Sequence, residues 1–494
     1  MLPVPVLEKL KFLYPVYVLA IVSLGYVVGE LGHYMIGVTS KETAKDLHYG
    51  DISCQLNNTE LSVSELPFRC DIANNSETCY SFAYNGTPYC EWEYNGLGLD
   101  YQILAGPSFI AVFTIMGIFF GIVADRWNRI RMLAICTIIF SVATILMGAV
   151  KEFWHLVILR MILAAGEASA NPIGTGILSD IFPEEKRALV MSIFNWGIYG
   201  GYGIAFPIGR YIPQLNAWDL GWRLCYYGVG IVGIIIGLLT GLTISEPERK
   251  IIGEETTAGE KKKKRDWKVL FQPRVLLLCL AASIRHTGGM AFGYNCDLYY
   301  REYFPDYDLG WWLFAVTVVV GSIGVVAGGV ISDKFVSKMG IKSRVLVLAI
   351  SQLIASPFAF GSVYFDPLGA MITLGISYFF AEMWFGIVFA ILVEVVPLSM
   401  RSTTVGVFLF VMNNVGGNLP ILIEPIRTSL GFREALYIFY AGFYLISSVL
   451  FLITVFFMEP KSKDPRSDLE DMGHENPGLQ VDASDPKGVE MSRL

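Results

Sequence analysis

Asp180-Ile-Phe-Pro183-Glu-Glu-Lys-Arg187 recurs later in the chain as Glu394-Val-Val-Pro397-Leu-Ser-Met-Arg401. Upstream of each copy lies a second repeated phrase. Gly121-Ile-Val-Ala-Asp125-Arg126 recurs as Gly329-Val-Ile-Ser-Asp333-Lys334. The offsets, 208 residues between the aspartates and 214 between the prolines, nearly agree. Each phrase closes an apolar run long enough to cross a bilayer, which needs about 20 residues. A membrane domain written twice in the same order is the architecture of two bundles that rock about a central site.

The rest of the composition agrees. Of the 494 residues 54% are hydrophobic and only 16% charged, against about 25% charged in an ordinary soluble domain. Twelve apolar runs follow, the first near 13–38 and the last near 433–458. They predict an all-α membrane protein of twelve transmembrane helices in two bundles of six. Residues 1–245 form the first bundle, 246–272 a basic linker, 273–458 the second bundle, and 459–494 a polar tail expected to be disordered. The first run is too long for a cleavable signal and reads as an uncleaved first span.

Basic residues favour cytoplasmic loops. Arg126, Arg129 and Arg131 follow span two, Lys186 and Arg187 follow span four, and Lys261-Lys262-Lys263-Lys264-Arg265 lies between spans six and seven. All fall on one side, so both termini are expected in the cytoplasm and the loop 39–103 outside. That loop carries Cys54, Cys70, Cys79 and Cys90, half of the eight cysteines, and glycosylation sequons at Asn57, Asn74 and Asn85. Two disulfides are expected, in any of three pairings. The other four cysteines lie in or near spans, lack metal-ligand spacing and read as packing residues. Neither a metal nor a cofactor is expected. No nucleophile triad or phosphate-cradling glycine loop stands out, which argues against an enzyme, and nothing points to nucleic acid.

Gly121-x-x-x-Asp125-Arg126-x-x-Arg129-x-Arg131 resembles the loop 2–3 signature of the major facilitator superfamily, with Asn128 at the usual second glycine and the last basic residue displaced to Arg131. The phrases ending in Arg187 and Arg401 resemble a second superfamily feature. The resemblance implies a gate. Gly121 lets helices approach closely, Asp125 sits against the other half, and the arginines pair with acids such as Asp180. Asp333, Glu394 and Arg401 are the second-half counterparts. In span four, Arg160-Met-Ile-Leu-Ala-Ala-Gly166-Glu167-Ala168-Ser169 resembles the spinster branch, with Ala164 in place of that branch's first glycine. The branch implies transport of lysophospholipids or sphingosine phosphate, with proton coupling in some members. Its Asp-Arg pair in span one is absent here, where the stretch reads Gly29-Glu30-Leu31-Gly32-His33-Tyr34. The long cysteine-bearing loop is also foreign to that branch and resembles the organic ion carriers of the same superfamily.

An ionisable group at bilayer depth costs about 2.5–3.5 kcal/mol on insertion scales, so it faces the protein interior. Arg160, Arg285, Glu30, His286, Asn413 and Asn414 are the candidate substrate contacts. Glu167, Glu30 and His33 are the candidates for a coupled proton. Arg160 and Glu167 share a helix face two turns apart, too far for a direct pair. The expected cargo is an amphipathic or organic anion, a small molecule or lipid. The rivals are a carrier of organic cations or neutral solutes, and a receptor that kept the fold. Anionic lipid is a candidate partner for the Lys/Arg run, and Ser492-Arg493-Leu494 for a PDZ domain. No clear lysosomal sorting signal is present, so the plasma membrane is the expected site, with the lysosomal membrane as alternative.

Overall fold

A computed structural model describes residues 4–57, 66, 68, 70–124, 126–247, 267–396 and 401–458. Asp125, the basic run 261–265 and the tail lie outside the described residues, and so do the side chains of Arg187 and Arg401. Eleven helical segments are long and apolar enough to cross a membrane. They are span one (Leu13–Leu47), two (Leu99–Ala124), three (Arg129–Met147), four (Phe153–Ile181), six (Arg223–Thr243), seven (Pro273–Tyr303), eight (Gly310–Val336), nine (Ile341–Tyr364), ten (Pro367–Leu392), eleven (Thr404–Leu430) and twelve (Phe432–Phe457). The fifth, between four and six, is the 32-residue helix Glu184–Leu215. The protein is a multi-pass membrane protein of twelve helices.

Lipid tails are as apolar as leucine, so burial of apolar surface does not drive these helices together; close packing and interhelical hydrogen bonds do. Large apolar side chains accordingly point outward, as Ile115, Ile122, Ile235 and Val326 do, while small residues pave the contacts. Gly201 shows why. A Cβ there would lie 2.6 Å from Glu30 Cβ and from the Val27 carbonyl oxygen, so only glycine lets span five rest on span one.

Spans two, four and ten are broken within their length. Span two breaks at Gly106–Pro107, between the helices Leu99–Ala105 and Pro107–Ala124. Proline lacks an N–H and cannot continue the ladder. Span four breaks at Ala168–Ser169, between Phe153–Glu167 and Ala170–Ile181. Pro172 lies four residues beyond Ala168, whose carbonyl its ring would meet in a regular helix. Span ten breaks at Glu382–Trp384, between Pro367–Ala381 and Phe385–Val395.

The first helix was expected to end at 38. It runs to Leu47 because the following loop folds around it. Ser40 Oγ donates to the Gly96 carbonyl at 2.6 Å, and the Thr43 and Tyr49 hydroxyls meet at 2.7 Å. The loop is a small cap. Strands β1 (Ile52–Leu56) and β4 (Cys90–Tyr94) pair antiparallel, and β2 (Ala83–Tyr84) pairs with β3 (Thr87–Pro88). Disulfides join Cys54 to Cys79 and Cys70 to Cys90, one of the three pairings the sequence allows. Asn57, Asn74 and Asn85 are exposed on it.

The two halves meet across the capped face, here called outer. Span seven lies at the centre of the seam. Its Asn295 accepts from Gln102 of span two at 2.8 Å, and its Tyr294 carbonyl accepts from Tyr101. Cys296 Sγ lies 3.5 Å from the Tyr202 hydroxyl of span five. Asp297 pairs with Arg210 of span five at 3.3 Å, and Arg301 pairs with Glu42 of span one at 2.6 Å. Arg210 also reaches Asp308, at 2.8 Å, and Arg301 reaches Asp297, at 2.7 Å. The cap joins this seam: Asp51 pairs with Arg427 of span eleven, and the Gly98 N–H donates to Glu424.

The opposite face differs. Gly121 was expected to sit against a neighbouring helix, but a Cβ there would meet nothing within 4 Å, and the same holds for its counterpart Gly329. Every ion pair recorded there among the described residues stays within one half. Arg129 pairs with Asp180 at 2.7 Å and with Glu246 at 2.8 Å. Arg344 pairs with Asp333 at 2.7 Å and Glu394 at 3.1 Å. Among the described residues, the ion pairs that join the two halves all lie on the outer face.

Candidate functional site

Arg160 is fully buried, and the break in span two explains why a charge is tolerated there. The break frees carbonyls that a continuous helix would consume. Arg160 Nε donates to Leu104 O at 2.6 Å, and its two Nη atoms donate to His33 O at 2.9 Å and Ala105 O at 3.2 Å. The guanidinium lies 5.1 Å from the Phe109 ring centre. All of its nitrogens are engaged. It ties spans one, two and four together, and no ion pair joins it to Glu167 among the described residues.

Glu167 ends the first part of span four, where the break turns its carboxyl toward span one. Gly29 makes the room, since a Cβ there would lie 3.0 Å from Glu167 Cγ. Glu30 and His33 share one face of span one, with His33 Nδ1 3.7 Å from Glu30 Oε2. One ligating atom from each of Glu30, His33 and Glu167 lies within 4.8 Å of the other two. All three are buried, and neither carboxylate oxygen of Glu167 has a hydrogen-bond partner among the described residues. Two carboxyls and an imidazole are a donor set that accepts a proton or a cation. His33 also reaches across the seam: Nε2 lies 3.3 Å from the Tyr294 hydroxyl, and its ring stacks on Phe109 at 3.7 Å.

The second half repeats the plan with a different charge balance. Glu382 stands at the break of span ten, as Glu167 does at the break of span four. It faces Arg285 of span seven at 3.0 Å. Arg285 donates to the freed Ala381 carbonyl at 2.7 Å and lies between the Trp384 and Tyr444 rings, 4.3 and 5.2 Å from their centres. Its Nε has no partner among the described residues. Tyr199 of span five donates to Glu382 at 2.9 Å and so links the halves. Trp196 Nε1 donates to Ser322 Oγ at 2.8 Å nearby. His286 stays outside this pair, 6.0 Å from Trp384 between ring centres. Asn414 donates to the Phe410 carbonyl of its own helix at 2.8 Å, and Asn418 does the same to Asn414 at 2.7 Å. The Asn413 side chain makes no hydrogen bond among the described residues.

The structure thus gathers Glu30, His33 and Glu167 into one cluster and places Arg285 with Glu382 in another. Arg126 is exposed, away from the Arg129 pairings. Sequence reasoning passed over Arg344, Arg210, Asp297 and Arg301. Arg344 opens span nine as Arg129 opens span three, so the duplication carried a signal for it. Asp297 and Arg301 are an i,i+4 pair of opposite charges near the end of a span, also visible in the sequence.

The sequence profile of the Major Facilitator Superfamily matches residues 22–419. The chain belongs to that superfamily. It is a secondary transporter by type, and it resembles the spinster branch. It is 24% identical over 349 residues to protein spinster of Drosophila melanogaster, covering 68% of this chain and 57% of that protein. Identity to the sphingosine-1-phosphate transporter SPNS2 of Danio rerio is 28% over 349 residues, covering 65% of this chain and 68% of that one. Among solved structures, a bacterial homologue of the human lysosomal transporter spinster, inward-facing and unoccupied, superposes with a TM-score of 0.65 at 19% identity, covering 90% of this chain and 96% of that one. The inward-open xylose transporter XylE of E. coli gives 0.66 at 14% identity, covering 93% and 100%. At these identities the structural likeness speaks for the fold.

Proposed function

We propose that this transporter moves an amphipathic anion, of the lysophospholipid or sphingosine-phosphate type, by alternating access, and that a proton bound between Glu30 and Glu167 is coupled to the movement. The observation that carries this reading is the buried Glu30–His33–Glu167 cluster. Two carboxyls stand against the one buried guanidinium of Arg160, an imbalance of one charge where water is largely excluded. Leaving a buried charge uncompensated costs several kcal/mol, and a single proton cancels it. The break in span four beside Glu167 and the His33–Tyr294 contact across the seam give that proton a route to the relative position of the halves.

Arg285 is the anion contact in this reading. Arg160 spends its donors on backbone carbonyls, whereas Arg285 keeps Nε unengaged beside two aromatic faces that suit an apolar chain. A bound phosphate would compete with Glu382 for Arg285 and release the Tyr199 link between the halves. The sequence similarity to a sphingosine-1-phosphate transporter supports a lipid phosphate as cargo. The exposed sequons and the disulfides of the cap favour a membrane facing an oxidising space, the plasma membrane first and the lysosomal membrane second.

The test is transport of sphingosine 1-phosphate and lysophospholipids by the purified protein in liposomes, with and without a pH gradient. Transport driven by the gradient in wild type and indifferent to it in Glu167→Gln is the expected result. Arg285→Gln should lose substrate binding. Gradient-driven transport unchanged in both Glu167→Gln and Glu30→Gln would refute the proton site. Binding at wild-type affinity by Arg285→Gln would refute the anion contact.

A further inference from the structure

The cap covers a chamber that the central site does not use. A cavity of about 250 Å³ lies between the cap and the closed outer seam. Its roof is β1 and Cys70, and its floor is Leu298 and Arg301 of span seven. Lys41 of span one and Arg427 of span eleven form its walls. Ligand pockets for larger molecules run from about 300 to 1,000 Å³, so this one takes something smaller.

The chamber's charge is unevenly spent. Arg301 directs all three of its nitrogens at Asp297, Glu42 and the Val38 carbonyl. Arg427 uses Nε and one Nη on Glu424 and Asp51, and its other Nη makes no recorded hydrogen bond. Lys41 has no carboxylate within ion-pairing reach among the described residues, although the chain around it is closely packed. Glu302 also lines the chamber; it has a contact of its own, and its charge acts on both Lys41 and Arg427 without pairing directly with either. Two cationic groups with free donors, one from each half of the protein, therefore face the same small, partly enclosed space. Phosphate and carboxylate groups satisfy such donors with charge-assisted hydrogen bonds.

We propose that this chamber is a second binding site, for a small oxyanion of phosphate or carboxylate type reaching it from the outer face, and that the ligand bridges Lys41 and Arg427 and holds the outer face shut. The bridge follows from position. Lys41 belongs to the first half and Arg427 to the second, and both sit above the seam formed by Glu42, Arg301 and Asp297. Outward opening must pull these two cations apart, so an anion held by both binds the closed state in preference. A ligand specific for one state shifts the balance only through that difference.

Cys296 is a native reporter. It is buried against Tyr202 across the seam, so a membrane-impermeant maleimide added outside reaches it only when the outer face opens. The full-length glycosylated protein in liposomes is treated with inorganic phosphate, or with sodium chloride at matched ionic strength, and labelling of Cys296 is followed by peptide mass mapping. At ten times its Kd, phosphate should slow labelling roughly tenfold in wild type. The effect should vanish in Lys41→Gln and persist in Lys41→Arg, which keeps the charge and guards against a folding artefact. A short-chain lysophosphatidic acid separates a lipid headgroup from a free solute. Three results each overturn the proposal: no slowing by phosphate in wild type, equal slowing in Lys41→Gln, or slowing by the lipid alone.

Discussion

Glu42→Gln tests whether the outer ion pairs hold this conformation. Glu42 lies in span one and its partner Arg301 in span seven, so the 2.6 Å contact spans the seam. A hydrogen bond to a charged group contributes about 1.5–3 kcal/mol net. The side chains are 29% and 14% exposed, so screening puts this pair near the lower end, at about 1.5 kcal/mol. Glutamine keeps the shape and can still accept from Arg301, which also retains Asp297 and the Val38 carbonyl. No buried charge is orphaned, and the fold should survive. Each 1.4 kcal/mol is a factor of about ten, so the outer-open population should rise roughly tenfold. Labelling of Cys296 by an external impermeant maleimide should accelerate by the same factor. Cys225, buried within the first half against the Ile208 carbonyl, serves as an internal reference and should not change. Unchanged Cys296 labelling in a protein that melts like wild type would refute the idea that these pairs hold the gate. Equal acceleration at both cysteines would show general loosening instead.

Arg160→Ala leaves two carbonyls at the span-two break and one in span one without their donor, and should cost on the order of 3 kcal/mol or more; a melting temperature within a few degrees of wild type would contradict that structural role. Asp180→Asn should weaken the hold on Arg129 while Glu246 remains, giving a modest loss of transport at normal surface expression, and Asp180→Asn with Glu246→Gln together a much larger one; additive small effects would remove the cluster from the cycle. Peptide mapping without reduction should recover Cys54 linked to Cys79 and Cys70 linked to Cys90, with a glycosidase-sensitive mass on the same loop. Any other linkage would mean a different cap.

The twelve-helix plan was legible because duplication and long apolar runs are one-dimensional signals. The cluster of Glu30, His33 and Glu167 was half legible. The i,i+3 pair in span one follows from helix geometry, but its meeting with Glu167 depends on the break that Pro172 imposes and on the space left by Gly29. Arg160 was half legible for the same reason. Its burial in a predicted span points to an anion contact, but the backbone carbonyls that the kink at Pro107 supplies to it cannot be read from the sequence. The outer seam was hidden because its pairs are far apart in the chain, 87 residues for Arg210 with Asp297 and 259 for Glu42 with Arg301. Only the fold brings Glu382 to Arg285, 97 residues earlier in the chain.

The cap has a consequence for biogenesis. Its cysteines lie between residues 54 and 90, and Asp51 and Gly98 stand at its edges, whereas their partners Arg427 and Glu424 are made more than three hundred residues later. N-terminal units generally fold first during synthesis. The cap can therefore be oxidised, glycosylated and seated on the first helix before span seven or span eleven leaves the ribosome. It then waits as a finished mould for the second half, with Asp51 marking where span eleven must dock. Failure to close the cap would surface as misassembly of helices that contain none of its cysteines. Cells would meet it first as a chain retained by quality control, well before any measurement of transport.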